Sequence, residues 1–85
     1  MVERYIVYGR ASCPYCTKAA ALLESAKVPC IFLDYQDDLE FLEKVKQYYD
    51  SPTVPIILSN NLSSGQVAFI GGYSDLEELM GGPVE

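Results

Sequence analysis

Cys13 and Cys16 stand two residues apart, as Cys13-Pro14-Tyr15-Cys16, just after an apolar run and at the start of a helical pattern. If Cys13 caps a helix and Cys16 lies one turn in, the two share a face. Their Cα atoms then fall within the roughly 4.4–6.8 Å that a disulfide tolerates. A helix start also presents unpaired N–H groups and the positive end of a dipole, and both favour a thiolate at Cys13. Cysteines so placed titrate between about 3.5 and 7.5, against about 8.5 for a free thiol. The spacing therefore predicts an exposed, partly ionised nucleophile at Cys13 and a second thiol able to close a ring with it.

Other uses of a Cys-x-x-Cys pair fit less well. Structural zinc takes four ligands, commonly as a second such pair or two histidines. This chain has no histidine and one further cysteine, Cys30, so no metal site is expected. A permanent disulfide across so small a loop would constrain little of the unfolded chain. Cys30 opens an apolar run and reads as a buried small hydrophobe rather than a third redox centre.

The elements that must position this dithiol are legible around it. Arg4-Tyr5-Ile6-Val7-Tyr8 is β-branched and aromatic, ends at Gly9, and reads as a strand. From Pro14 to Lys27 the apolar residues Ala19, Leu22, Leu23 and Ala26 recur at helical spacing. Pro14 suits the first helical position, and Val28-Pro29 stops the helix. Cys30-Ile31-Phe32-Leu33 reads as a second strand, parallel to the first through a right-handed crossover. A second helix is expected from Asp37 or Asp38 to about Tyr49, with Leu39, Leu42, Val45 and Tyr49 facing inward. Ile56-Ile57-Leu58 and Val67-Ala68-Phe69-Ile70 form an antiparallel hairpin about a turn from Asn60 to Gly65. Gly71-Gly72 leads to a third helix, with Ser74 as expected N-cap and Glu77 as its capping-box partner. The order is β-α-β-α-β-β-α: an α/β chain with a four-stranded mixed sheet flanked by three helices.

Eighty-five residues are enough for one small domain, residues 1–85. The net charge of −6 argues against nucleic acid, which is bound by cations that neutralise phosphate. The charge is uneven. Residues 1–27 carry four bases against two acids, and residues 28–85 carry two bases against ten acids. The cationic end holds the dithiol, where it helps retain a thiolate and attract an anionic thiol. No apolar stretch approaches a membrane span, and the first residues lack the layout of an export signal. A cytoplasmic protein is expected, in a reducing compartment where such a pair is catalytic rather than structural.

Three motifs together resemble one family. Gly9-Arg10 before Cys13-Pro14-Tyr15-Cys16, then Thr53-Val54-Pro55, then Gly71-Gly72-Tyr73-Ser74-Asp75 are similar, in order and spacing, to a dithiol glutaredoxin. The variant is most similar to the small glutaredoxins that serve ribonucleotide reductase. Arg10 stands where many members have lysine, which keeps the positive charge, and the chain ends soon after the third helix begins.

The resemblance implies a thioredoxin-like fold and a glutathione-dependent oxidoreductase. Cys13 would be the nucleophile and Cys16 the resolving thiol. Glutathione would be a co-substrate, with no tightly bound cofactor. It would be held by Arg10 and Tyr15, by Thr53, Val54 and a cis Pro55, and by Gly72, Tyr73, Ser74 and Asp75. The implied partners are glutathione and disulfide-bearing or glutathionylated proteins, ribonucleotide reductase among them. A monomer is expected, without nucleic acid or membrane. Two rivals are an iron–sulfur carrier sharing a cluster between chains, against which Pro14 speaks in the family, and a thioredoxin-like donor recycled by a reductase. The motifs at residues 53–55 and 71–75 speak against the latter.

Overall fold

A computed structural model describes residues 3–81. The elements follow in the expected order: β1 (Glu3–Gly9), α1 (Pro14–Ser25), β2 (Cys30–Asp34), α2 (Leu39–Tyr48), β3 (Ile56–Asn61), β4 (Val67–Gly71) and α3 (Tyr73–Leu79). The sheet runs β2-β1-β3-β4, with β1 parallel to β2 and antiparallel to β3, and β3 antiparallel to β4. It is the mixed sheet of a thioredoxin-like fold.

Strand alternation divides the apolar residues between two faces. Tyr5, Val7 and Ile57 point to one side and meet Ala19 and Leu23 of α1 and Leu76 of α3 in the main core. Val7, Leu23, Ile57 and Leu76 are fully buried, and each such side chain is worth about 1.5–3 kcal/mol. The opposite face is largely aromatic. Tyr8 stacks on Tyr35 at 6.0 Å and approaches Tyr49 at 6.4 Å, while Tyr49 lies flat on Phe69 at 5.6 Å. Of these rings α2 supplies Tyr49, its C-cap, and with it the buried Leu42 and Val45.

Four local expectations need correction. First, α1 stops at Ser25 and not Lys27, leaving Ala26 exposed as C-cap. Lys27 turns left-handed (φ 59°) so that its N–H reaches the Glu24 carbonyl and the Val28 N–H the Leu23 carbonyl. This paired closure is the Schellman motif, usually made with glycine, and it ends the helix before Pro29 has any effect. Second, Leu39 is exposed; its end of α2 is anchored instead by Phe41 packed on Tyr35 at 4.8 Å. Third, the third helix is capped by Gly72 and not Ser74. The Asp75 carboxylate, rather than that of Glu77, accepts from the Gly72 N–H at 2.9 Å, since Asp75 occupies the N3 position. Fourth, Cys30 is only partly buried, because β2 is an edge strand.

Candidate active site

The dithiol sits where β1 passes into α1. Cys13 is the N-cap of α1, in extended geometry, and Pro14 takes the first helical position without losing a hydrogen bond. The loop before it is held from the side by β2. Asp34 Oδ1 accepts from the Ala11 N–H at 3.0 Å and from the Gln36 N–H at 2.9 Å, and Gln36 Oε1 accepts from the Ser12 N–H at 3.2 Å. The Tyr35 N–H donates to the Gly9 carbonyl at 2.8 Å. Asp34 and Gln36 thus set where α1 begins. Sequence alone does not single them out, because this support crosses between strands.

Both thiols are free in this structure. Cys13 is not the exposed residue that its motif predicts: it is 8% exposed, and its Sγ lies 3.9 Å from the Val54 carbonyl, to which the protonated thiol donates. That carbonyl belongs to the loop folded across the helix start and covers the sulfur. Burial pushes the Cys13 thiol up. The Cys16 thiol, the N–H groups of Cys16 and Tyr15 and the Arg10 charge outweigh it, and the group titrates below its ordinary value. Cys16 is fully buried. Burial, its hydrogen bond to Cys13 and the neighbouring negative charge push it up to about 12. The pair is therefore split: Cys13 gives up its proton more readily than an ordinary thiol, and Cys16 far less readily.

Next to Cys13, across the Val54 carbonyl, a groove of about 740 Å³ runs between the loop before β3 and the start of α3. Its near wall is Tyr15, 54% exposed, whose ring lies 5.7 Å from that of Tyr73 and carries the Lys18 ammonium over its face at 5.0 Å. Thr53, Val54 and Pro55 form one side, and the Val54–Pro55 peptide bond is cis. Gly72, Tyr73, Ser74 and Asp75 form the other. Gly71 adopts φ 127°, and the Asp75 carboxylate fills the space in which a Cβ at residue 71 would stand.

Nine of the eleven candidate site residues thus meet at the helix start or in this groove, counting Cys13 and Tyr15 at its head and leaving Arg10 and Cys16. Cys16 lies beneath Cys13. Arg10 is not among the lining residues; its guanidinium donates to Ser12 Oγ at 3.3 Å and acts on the thiolate through its charge. The groove also takes in Asp50, Ser51 and Pro52, which read along the chain only as a helix stop, and Phe69, which read only as a strand residue. The adjacency of Asp50-Ser51-Pro52 to the Thr53-Val54-Pro55 motif is the one signal that marks them.

A family model described as Glutaredoxin matches residues 5–62, more than half of the chain. The chain belongs to the glutaredoxin family. It is 35% identical over 83 residues to Glutaredoxin 1 of Rickettsia bellii, covering 93% of this chain and 79% of that relative. Its fold is similar to reduced Escherichia coli glutaredoxin (TM-score 0.66, 26% identity, 91% of this chain and 92% of that one). It is also similar to the dithiolic glutaredoxin 2-C-Grx1 of Trypanosoma brucei brucei (TM-score 0.68, 30% identity, 89% and 75%). This glutaredoxin is accordingly a thiol–disulfide oxidoreductase. Among the described residues, no group of three or more His, Cys, Asp or Glu side chains is arranged to hold a metal, and no helix is long and apolar enough to cross a membrane.

Proposed function

We propose that this chain reduces protein disulfides and glutathione mixed disulfides through Cys13 and Cys16, with glutathione as the reductant. The observation that carries the reading is the placement of the pair beside the groove. Cys13 stands at the start of α1 against the groove residue Val54, and Cys16 is fully buried one turn in, with burial raising Cys16 while Cys13 is lowered. The groove's volume lies within the roughly 300–1,000 Å³ of small-ligand sites, room for a tripeptide.

The steps follow from the two thiols. The Cys13 thiolate attacks one sulfur of the substrate disulfide, forms a mixed disulfide and releases the other sulfur as a thiolate. For a protein disulfide, Cys16 then attacks the Cys13 sulfur, closes the 13–16 disulfide and frees the second substrate sulfur, its proton passing to solvent or to the leaving thiolate. Two influences that hold the Cys16 proton, the hydrogen bond to Cys13 and the Cys13 charge, vanish once Cys13 is in the mixed disulfide. Burial, the largest influence, remains, and the loss of the other two makes Cys16 readier to react after the first step than before it. One glutathione attacks the ring disulfide and a second takes the glutathionyl group from Cys13, giving oxidised glutathione. A glutathione mixed disulfide enters this cycle at Cys13 alone.

Glutathione would lie along Val54 as an added strand, its γ-glutamyl end toward Tyr73, Ser74 and Asp75. Asp75 would accept from the ammonium, Tyr15 and Tyr73 flank the sulfur, Thr53 and Pro55 shape the wall, and Gly72 admits the backbone. Arg10 would serve the glycine carboxylate from outside the groove. We further propose residues 1–85 as a single cytoplasmic domain acting as a monomer, without a tightly bound cofactor or metal, with ribonucleotide reductase among the protein disulfides served.

The test is reduction of a glutathione mixed disulfide, coupled to glutathione reductase and NADPH, for wild type, Cys13→Ser and Cys16→Ser. Turnover that requires Cys13 and survives loss of Cys16, with protein-disulfide reduction requiring both, is the expected result. A wild type inert toward the mixed disulfide would overturn the reading.

A further inference from the structure

The groove does not stop at α3. A second, shallower cleft, lined by Phe69, Ile70, Asp75, Glu78 and Leu79, shares Phe69 and Asp75 with it. The active-site surface therefore continues past the α3 start and along the outer side of β4. This continuation is apolar and acidic. Phe69 is 48% and Leu79 53% exposed, large hydrophobic side chains standing in water beside one another. Asp75 and Glu78, one turn apart on α3, are exposed between them.

Stability explains Asp75, which caps α3, and one face of Phe69, which carries Tyr49, but not Glu78 or Leu79. Glu78 sits in the last turn of α3, where the helix dipole disfavours a negative charge, and that turn holds no base. The sole ion pair among the described residues is Lys46–Glu43, on α2. β4 is an edge strand of the sheet whose five residues, Val67 to Gly71, include no charge and no proline, the devices that ordinarily protect an edge. An exposed apolar pair with Glu78 beside it, unpaired among the described residues, and continuous with a reactive groove has the character of a docking surface.

We propose that this strip, from Phe69 to Leu79, docks the chain segment flanking the disulfide of a protein substrate, and that it selects segments pairing an apolar residue with a Lys or Arg. The inference rests on the proposed reduction of protein disulfides. The apolar residue covers Phe69 and Leu79, and the cation lies by Glu78 and Asp75. Glutathione, confined to the groove, does not reach Glu78 or Leu79. The strip therefore discriminates among protein substrates and leaves small ones indifferent.

The test uses two synthetic peptides identical but for a Leu-Lys or a Leu-Glu pair beside the cysteine. Binding is read directly from amide shifts of the full chain, with serine in place of the peptide cysteine, so that the result stands apart from glutathione chemistry. Turnover is read with the disulfide forms. The Leu-Lys peptide is expected to bind about fivefold more tightly, with shifts at Phe69, Glu78 and Leu79, an ordinary magnitude for an exposed ion pair. The preference should fade near 1 M salt, where the Debye length is about 3 Å. Glu78→Lys should reverse it, and Leu79→Ser should weaken both peptides by about fivefold, through KM in turnover. Both variants should reduce the mixed disulfide of glutathione and 2-mercaptoethanol at the wild-type rate.

Equal affinity for the two peptides, or shifts that stop at Tyr73, would overturn the proposal even if glutathione turnover is normal. Loss of glutathione turnover with the peptide preference intact would instead overturn the proposed reductant. A dimer by sedimentation that Leu79→Ser dissociates would assign the strip to a second copy of the chain and likewise defeat the proposal.

Discussion

Gly9, the last residue of β1, lies directly under Cys16: a Cβ at residue 9 would stand 2.5 Å from Cys16 Sγ and 2.9 Å from its Cβ. The strand can pass beneath the dithiol only because residue 9 has no side chain. Cys16 is short, fully buried and fixed in the helix, so it cannot swing aside. Gly9→Ala is expected to destabilise by about 1–3 kcal/mol, as overpacking does. At about 4–8 °C per kcal/mol for a domain of this size, a thermal melt would show a fall of at least several degrees. Protein-disulfide reduction should fall further than mixed-disulfide reduction, since it is Cys16 that is displaced. An unchanged melting temperature would refute the close approach.

Cys13 should ionise below the ordinary thiol value, and its rate of alkylation by iodoacetamide should rise with pH through a midpoint lower than that of a free cysteine. Burial opposes this, and the Cys16 hydrogen bond and the helix-start N–H groups carry most of it, with the Arg10 charge the smallest contribution. Arg10→Ala is therefore expected to move the midpoint upward without abolishing it. A midpoint that does not move would leave Arg10 with no part in holding the thiolate.

The reduced protein should lose stability in alkali through Cys16. Its folded value, about 12, lies above the ordinary thiol value of 9.0. Below 9.0 the thiol is neutral in both states. Between 9.0 and about 12 the unfolded chain releases the proton while the folded one retains it, so stability present below 9.0 drains away as pH rises. Tyr5, Cys30 and Tyr49, each raised chiefly by burial, push the same way. Urea unfolding at about pH 8 and about pH 10.5 should thus show a larger loss for reduced wild type than for Cys16→Ala; Tyr5, Cys30 and Tyr49 are common to both, while Cys13, lowered in part by Cys16, offsets some of the difference. Equal losses would contradict the assignment.

Asp34 takes two backbone N–H groups, one from the loop that delivers Cys13. Removing the carboxylate leaves both donors without their acceptor, a cost of about 1–3 kcal/mol if water does not replace it. Asp34→Ala should lower kcat/KM for every disulfide substrate. Asp34→Asn, which keeps an acceptor oxygen in place, should recover much of the loss. Equal activity in both variants and wild type would show that the loop holds itself.

Local pattern determined much of this protein without help from the fold. The apolar spacing from Ala19 to Leu23, the β-branched run before Gly9 and the two strand patterns of β3 and β4 are local signals, and with those of β2, α2 and α3 they placed all seven elements in order. Cys13-Pro14-Tyr15-Cys16 named its own chemistry, because an N-cap and a residue three further on are fixed relative to each other by helix geometry alone. Where purely local competition decides, a few residues went astray. The left-handed turn at Lys27 depends on backbone hydrogen bonds that no residue type dictates, and the reach of the Asp75 carboxylate to the Gly72 N–H depends on which residue takes the N3 position.

What only the tertiary structure decided is whatever two distant segments make together. The covering of Cys13 by the Val54 carbonyl, 41 residues along the chain, turned an expected exposed nucleophile into a sheltered one. The support of the Ala11–Ser12 backbone by Asp34 and Gln36, and the continuation of the groove from Asp75 to Leu79, arise in the same way. These contacts rest on sheet register and helix packing, which are set by the whole core at once. The dithiol could be read from four residues, but its protonation and its surroundings could not, because burial and hydrogen bonding belong to the space around a residue and not to its place in the chain.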